Sequence, residues 1–312
     1  MTEGRAGACG VRFLAEGVLK APHGYVARWN VRAVETNTIY HVHPGKLALT
    51  FGMFGCDLKC PYCHNWTISQ ALREQRDGEE PMDVTADDIA DAALATGCRV
   101  VCAAYNEPMI AAEWVRTVFA ACRSRGLTTA IISDGHTTPE ALAYVRPVTD
   151  CVRVDLKASD AAQYRSLGGR LEPVIECIRL TRQMGLWVEV ATLIVPGFND
   201  DEVGIKRLAD TLVAIDAAVP WHLNAFHPRY RLADRLPTSA ALLTSLAGIA
   251  YARGVRFVYV SNVHDAMPEL EHTRCPSCHT MLIERSDYRA RAVHLRHGAC
   301  PECAAVISGI WS

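Results

Sequence analysis

The chain lacks several features that would set it apart from ordinary globular proteins. None of its 312 residues falls in a run approaching the ~18 continuous apolar residues of a membrane span. The opening stretch MTEGRAGACG carries no apolar core of a secretory leader. These absences predict a cytoplasmic protein with no membrane partner. Charge of one sign is missing too: 32 Lys and Arg face 34 Asp and Glu, a formal net charge of −2, so composition offers no footprint for nucleic acid and no steering of an acidic substrate. No repeat of solenoid period and no low-complexity tract stands out. What remains is half apolar and 21% charged, enough to bury a large core as one big domain or one domain plus an appendage.

Cysteine, by contrast, is plentiful. Thirteen thiols in a reducing compartment are expected to be metal ligands and buried core residues, since disulfides do not persist there. Six of them (Cys9, Cys98, Cys102, Cys122, Cys151 and Cys177) are scattered and read mostly as core thiols. The other seven fall into two sets with ligand-like spacing.

From residue 47 onward, strand-like apolar runs alternate with helical patterns. The strand candidates are LALTFGM (47–53), RVVCAAY (99–105), TTAIIS (128–133), CVRVDL (151–156), LWVEVATLIV (186–195), PWHLNAF (220–226) and VRFVYV (255–260). Helices between them start at Thr85, Thr138 and Ser239, and stop at glycines such as Gly97 and Gly126. Six or seven β-α units of this kind predict an α/β fold with a parallel sheet closed, or partly closed, into a barrel; a doubly wound open sheet is the alternative. Uncommon polar residues gather where strands end: the cysteines after the first, Asn106 and Glu107 after the second, Ser133 and Asp134 after the third. Asp155 and Lys157 follow at the fourth, and Asn224 and His227 at the sixth. In a barrel those points share one rim, so they predict a single site.

Weak alternation in VRFLAEG, YVARWNV and TIYHVHPG suggests a β-rich cap over residues 1–46, followed by the barrel at 47–270. Beyond residue 270 short polar pieces bracketed by cysteine pairs predict a separate small domain, 271–312. There CPSC and CPEC place Cys275, Cys278, Cys300 and Cys303 in two C-x2-C knuckles, the spacing of a zinc ribbon. A second iron–sulfur cluster is the competing reading. The RSDYRARAVHLRH segment between the knuckles is basic, but a solvated hairpin face is expected over nucleic-acid binding. His41 and His43 are expected to be packed or hydrogen-bonded, with no metal role.

The first set is FGCDLKCPYCHN, in which Cys56, Cys60 and Cys63 form C-x3-C-x2-C with no fourth cysteine beside them. Three thiolates can hold three corners of a cubic [4Fe-4S] cluster and leave one iron open. A structural metal completed by a distant thiol such as Cys98 or Cys102 is the plainer alternative.

This motif resembles the signature of the radical S-adenosylmethionine (radical SAM) enzymes. Further matches are YHVHPG, YNEP, VDLK, GGRLEPV, WVEVATLIVPGFND, PWHLNAFHPRY, FVYVSNV and the final GIW. These resemble the radical SAM protein of the AmmeMemoRadiSam system, over residues 40–311. CHN at the third cysteine is the form associated with activating enzymes of glycyl-radical proteins, related to the pyruvate formate-lyase activating enzymes.

The resemblance implies that SAM chelates the open iron and that the reduced cluster cleaves it to methionine and a 5′-deoxyadenosyl radical, which takes hydrogen from a substrate. It implies that Glu107 holds the SAM amine with Asn106 beside it, and that Tyr62 and Val195 flank the adenine. Asp155 and Lys157 match a D-x-K motif next to SAM, with a monovalent cation near the Asp. Ser133 would lie near the SAM carboxylate or that cation, and His227, with Asn224, near the methionine or ribose. A flavodoxin- or ferredoxin-type donor would supply the electron, and the substrate would be a small molecule or a protein. With fewer than fifty residues before the first strand, no cobalamin-binding domain is expected. A glycyl-radical activase is the second reading, and a non-catalytic iron–sulfur and zinc sensor or nucleic-acid adaptor the third.

Overall fold

The computed structural model describes residues 2–74, 80–263 and 268–311. Its main sheet has eight strands: β1 (Arg28–Ala33), β2 (Leu47–Gly52), β3 (Cys98–Ala103), β4 (Thr128–Ser133), β5 (Cys151–Asp155), β6 (Trp187–Ile194), β7 (Trp221–Ala225) and β8 (Val258–Ser261). They neighbour one another in chain order from edge to edge. Only β1 runs antiparallel, to β2; every other pair is parallel. A doubly wound sheet needs a reversal of strand order, and there is none here. The winding is that of a barrel whose edges, β1 and β8, share no hydrogen-bonded register, so a seam is left between them.

The parallel strands β2–β8 are almost continuously buried, as expected where helices cover one face of a parallel sheet and the opposite face lines an interior. Helices return the chain between strands: Ala86–Ala95, Ala112–Ser124, Pro139–Val145, Leu171–Gln183, Glu202–Asp216 and Ala240–Ala252. Their starts are capped locally. Thr85 accepts from the Asp88 amide while the Asp88 carboxylate takes the Thr85 amide, two donors that would otherwise go unmet. Gly97, at φ +71, ends the same helix. Among the described residues no helix is long and apolar enough to cross a membrane.

Two segments depart from the sequence reading. YVARWNV contributes β1 to the main sheet, so part of the N-terminal region completes the barrel wall. TIYHVHPG forms no strand. Thr38 and His43 take left-handed φ of 50° and 44°, and the Tyr40 and His41 amides are claimed by a side chain, the buried Glu189 carboxylate of β6. A strand ladder cannot compete once those amides are taken.

That carboxylate anchors a polar network at the end of the barrel where the strands begin. Glu189 also accepts from Trp187 Nε1 (3.1 Å) and His222 Nε2 (2.7 Å). Although burial opposes its charge, these donors hold its pKa down to about 2. Burial lowers the pKa of His41 to about 4, so the ring is neutral: Nδ1 donates to the Ser308 carbonyl and Nε2 accepts from Tyr259 Oη at 2.7 Å. Tyr259 in turn accepts from Thr273, and Thr273 from Arg285.

Arg285 belongs to a three-stranded antiparallel piece, β9 (Thr273–Arg274), β10 (Met281–Ser286) and β11 (Arg289–Val293). Its guanidinium is fully buried, donates to the Tyr40 carbonyl at 2.7 Å and lies 4.2 Å from the Tyr40 ring centre. β11 packs on the turn Val34–Asn37 just after β1, while Tyr288 donates to Asn262 just after β8. The C-terminal piece therefore spans the seam.

Candidate active site and metal centres

Where the parallel strands end, a cavity of about 500 Å³ opens. Cys56, Cys60 and Cys63 line it together with Tyr62, Asn106, Glu107, Asp155, Lys157 and Asn224. The chain reaches the cysteines through Gly55, at φ +88, where an added Cβ would lie 2.2 Å from Val11 and 2.6 Å from the Cys9 carbonyl. No other residue fits that step. The loop is then pinned by side chains. Gln70 donates to the Leu58 carbonyl, Arg73 reaches the carbonyls of Cys56, Asp57 and Leu58, and the Lys59 amide donates to Leu167. Asn106 ties the loop to the end of β3, accepting from the Met53 amide and donating to the Gly55 carbonyl.

Burial pushes the Cys60 thiol up to about 12 and raises Cys56 and Cys63 as well. Three such thiols become thiolates only against a positive centre, which a metal group supplies. All three are free thiols, and neither Cys98 nor Cys102 lines the cavity to act as a fourth ligand. Tyr62 Oη is buried beside them without a hydrogen-bond partner among the described residues. The donor set and the orphaned hydroxyl fit a three-cysteine cluster with a second ligand next to it.

Glu107 is held rigidly. Its carboxylate accepts from the Met109 and Asp134 amides at 2.8 and 2.7 Å, with Ser133 Oγ 3.0 Å from both oxygens. Burial, then the charges of Asp134 and Asp57, raise its pKa well above the carboxylate range. A cationic amine in front of it would relieve that strain. Asp155 and Lys157 form an ion pair at 3.0 Å, and the other oxygen of Asp155 accepts from Arg153. Burial works against both charges, yet Asp155 is held below its usual range by Arg153 and Lys157, and Lys157 above its own by Asp155.

Three sequence candidates stand one layer behind the wall. Ser133 faces Glu107, Val195 packs with Tyr62, Leu58 and Phe226, and His227 Nε2 donates to the Asn262 carbonyl. Asn224 does reach the cavity, accepting from Ser261 at 2.6 Å. Sequence reasoning did not single out Gln70, Arg73, Arg153 or Arg32. Of these Arg153 left a signal, a charge flanked by two valines in CVRVDL.

The second cysteine set is closed. The sulfurs of Cys275, Cys278, Cys300 and Cys303 all lie within 4.8 Å of one another, with closest pairs at 3.5 and 3.6 Å. A tetrahedral zinc with Zn–S of about 2.3 Å requires S···S of roughly 3.8 Å, whereas a disulfide requires about 2.05 Å. The two knuckles match in detail: the residues after the second cysteine of each, His279 and Ala304, take left-handed φ of 61° and 57°.

This barrel with its three-cysteine loop defines a protein class, and the comparisons agree. The family model described as Radical SAM superfamily matches residues 51–209. The chain belongs to the radical SAM superfamily. It is 31% identical over 295 residues to the uncharacterized protein MJ0808 of Methanocaldococcus jannaschii, covering 94% of this chain and 86% of that one. It is homologous to the pyruvate formate-lyase 1-activating enzyme of Escherichia coli K12, at 28% over 177 residues, 54% of this chain and 68% of that one. The fold resembles that of Streptococcus suis SuiB (TM-score 0.55, 14% identity, 73% of this chain and 52% of that one). It also resembles a radical SAM methyltransferase from Sphaerobacter thermophilus (TM-score 0.53, 15% identity, 70% of this chain and 67% of that one).

Proposed function

We propose that the protein is an enzyme that reductively cleaves SAM at a [4Fe-4S] cluster and uses the resulting radical on a small-molecule substrate. The observation that carries this reading is the open set of three thiols, Cys60 buried and Cys56 and Cys63 half-buried, that line one cavity together with Glu107 and Lys157. Cys56, Cys60 and Cys63 would hold the cluster. Bound together, cluster and SAM would supply a 5′-deoxyadenosyl radical for hydrogen abstraction, the electron coming from a flavodoxin- or ferredoxin-type donor.

The chain's own residues would bind and orient. Glu107 offers a carboxylate whose charge needs a cation, which suits the SAM amine. Lys157 offers the complementary charge for the carboxylate, and Tyr62 a flat apolar surface backed by Val195 for the adenine. Asn106 fixes the loop, Ser133 fixes Glu107, Asn224 shapes the far wall and His227 backs it. A monovalent cation at Asp155 would have to displace Arg153 or Lys157. The four C-terminal thiols would hold zinc, and residues 271–312 would form the ribbon domain behind residues 1–46 and the 47–270 barrel. The protein would work in the cytoplasm.

A glycyl-radical activase is the second reading, favoured by the homology to pyruvate formate-lyase activating enzymes. The deciding experiment is 5′-deoxyadenosine production, by mass spectrometry, from anaerobically reconstituted protein with SAM and a strong reductant. Product from wild type and none from Cys60→Ala supports cleavage. A reducible cluster that binds no SAM would sink the proposal.

A further inference from the structure

The cavity has two ends of unlike chemistry. Beside the cysteines its polar wall is acidic, with Glu107 and Asp134. Deeper in the barrel, within the strands themselves, the lining includes Arg32 of β1 and Arg153 of β5, and Tyr288 of the C-terminal hairpin forms part of the wall.

Arg153 is 9% exposed. Among the described residues only Nη1 is engaged, by Asp155, and Nε is buried with no hydrogen-bond partner. A buried guanidinium with idle donors is costly unless something accepts from them. Asp155 cannot satisfy it alone, because Lys157 shares that carboxylate. Arg32 makes no side-chain hydrogen bond or ion pair among the described residues, and its charge is felt by the Tyr105 phenol, which also lines the cavity. Arg153 and Lys157 thus share the single carboxylate of Asp155, while Arg32 has no acidic partner of its own among the described residues. Lys157 sits by Cys60 and Tyr62, at the cofactor end, which leaves both arginines for another ligand.

We propose that Arg32 and Arg153 form a substrate subsite for an oxyanion, the carboxylate or phosphate group of a small molecule whose reacting carbon points back toward the cysteine loop. The idle donors of Arg153 suit a two-point grip on either group, and Arg32 supplies a second charge. Tyr288 makes the C-terminal hairpin part of the substrate wall. This inference rests on the radical SAM reading of the same cavity.

The test is anaerobic equilibrium dialysis of radiolabelled inorganic phosphate and, in parallel, acetate against the reconstituted full chain with saturating SAM. One-site binding of either probe is expected, weakened about tenfold in Arg153→Met and in Arg32→Met and less in Arg153→Lys, which keeps the charge but loses the fork. Phosphate alone or acetate alone would identify the group. SAM affinity in Arg32→Met should stay within about twofold of wild type. Binding of neither probe, binding unchanged in both methionine variants, or displacement of the probe by SAM would overturn the proposal. Failure of the radical SAM reading would show separately, as absent SAM retention by the wild type.

Discussion

The two cysteine sets make opposite use of the same side chain. At the ribbon, four sulfurs close on one point, within 4.8 Å of one another, and leave no room for anything but an ion. At the barrel rim, three sulfurs share the wall of a cavity with an acid, a lysine and an orphaned phenol, so whatever they hold stays in view of a second molecule. Number of ligands matters less here than what stands opposite them. A closed set stabilises the chain; an open one can do chemistry on a guest.

The sharpest way to break that contrast is Cys60→Ala. Iron content and SAM cleavage should fall to background while metal in the ribbon stays at one ion per chain by elemental analysis; loss of both metals together would mean the sets are not independent. Next comes Cys300→Ser, which should release the ribbon metal and lower the melting temperature by several degrees, on the order of 2–5 kcal/mol, with iron retained. Arg285→Met tests the link between the two regions without touching a ligand. It leaves Glu35 and the Tyr40 carbonyl short of a partner, and urea unfolding should show a loss of about 3 kcal/mol.

A pH series gives the most gradual effect, spread over several pH units. His41 is neutral when folded, with its pKa lowered to about 4 from 6.5, so the unfolded chain takes up the proton first. Its contribution is present above pH 6.5 and is lost as pH falls toward 4; Glu189, held at about 2, extends the loss below pH 4.5. Melting temperature should therefore drop between pH 7 and 4, and His41→Gln should flatten the upper part of that drop, worth up to about 3 kcal/mol. An unchanged slope would remove His41 from the account.

Much of this was legible from residues alone. The parallel strands announced themselves as apolar runs ending in polar residues, and both cysteine sets by spacing. What the sequence could not show was depth. Ser133, Val195 and His227 sit at strand ends like the residues that do line the cavity, yet register and packing turn them one layer back. TIYHVHPG alternates like a strand, but a glutamate 148 residues away along the chain takes its amides. Charges flanked by two valines, Arg153 in CVRVDL and Glu189 in WVEVAT, were the signals for the interior, since a charge in a buried strand must have a partner there.

The hairpin across the seam also bears on the order of assembly. The contact between Arg285 and Tyr40 joins residues 245 apart, and that between His41 and Ser308 spans 267. Contacts so distant along a chain close late, after the local β-α units have formed. During synthesis the cysteine loop and the strands that carry it emerge from the ribosome well before the residues that shut the wall. For that interval the nascent barrel is open along its side, a wider doorway for a bulky inorganic group than the finished protein offers.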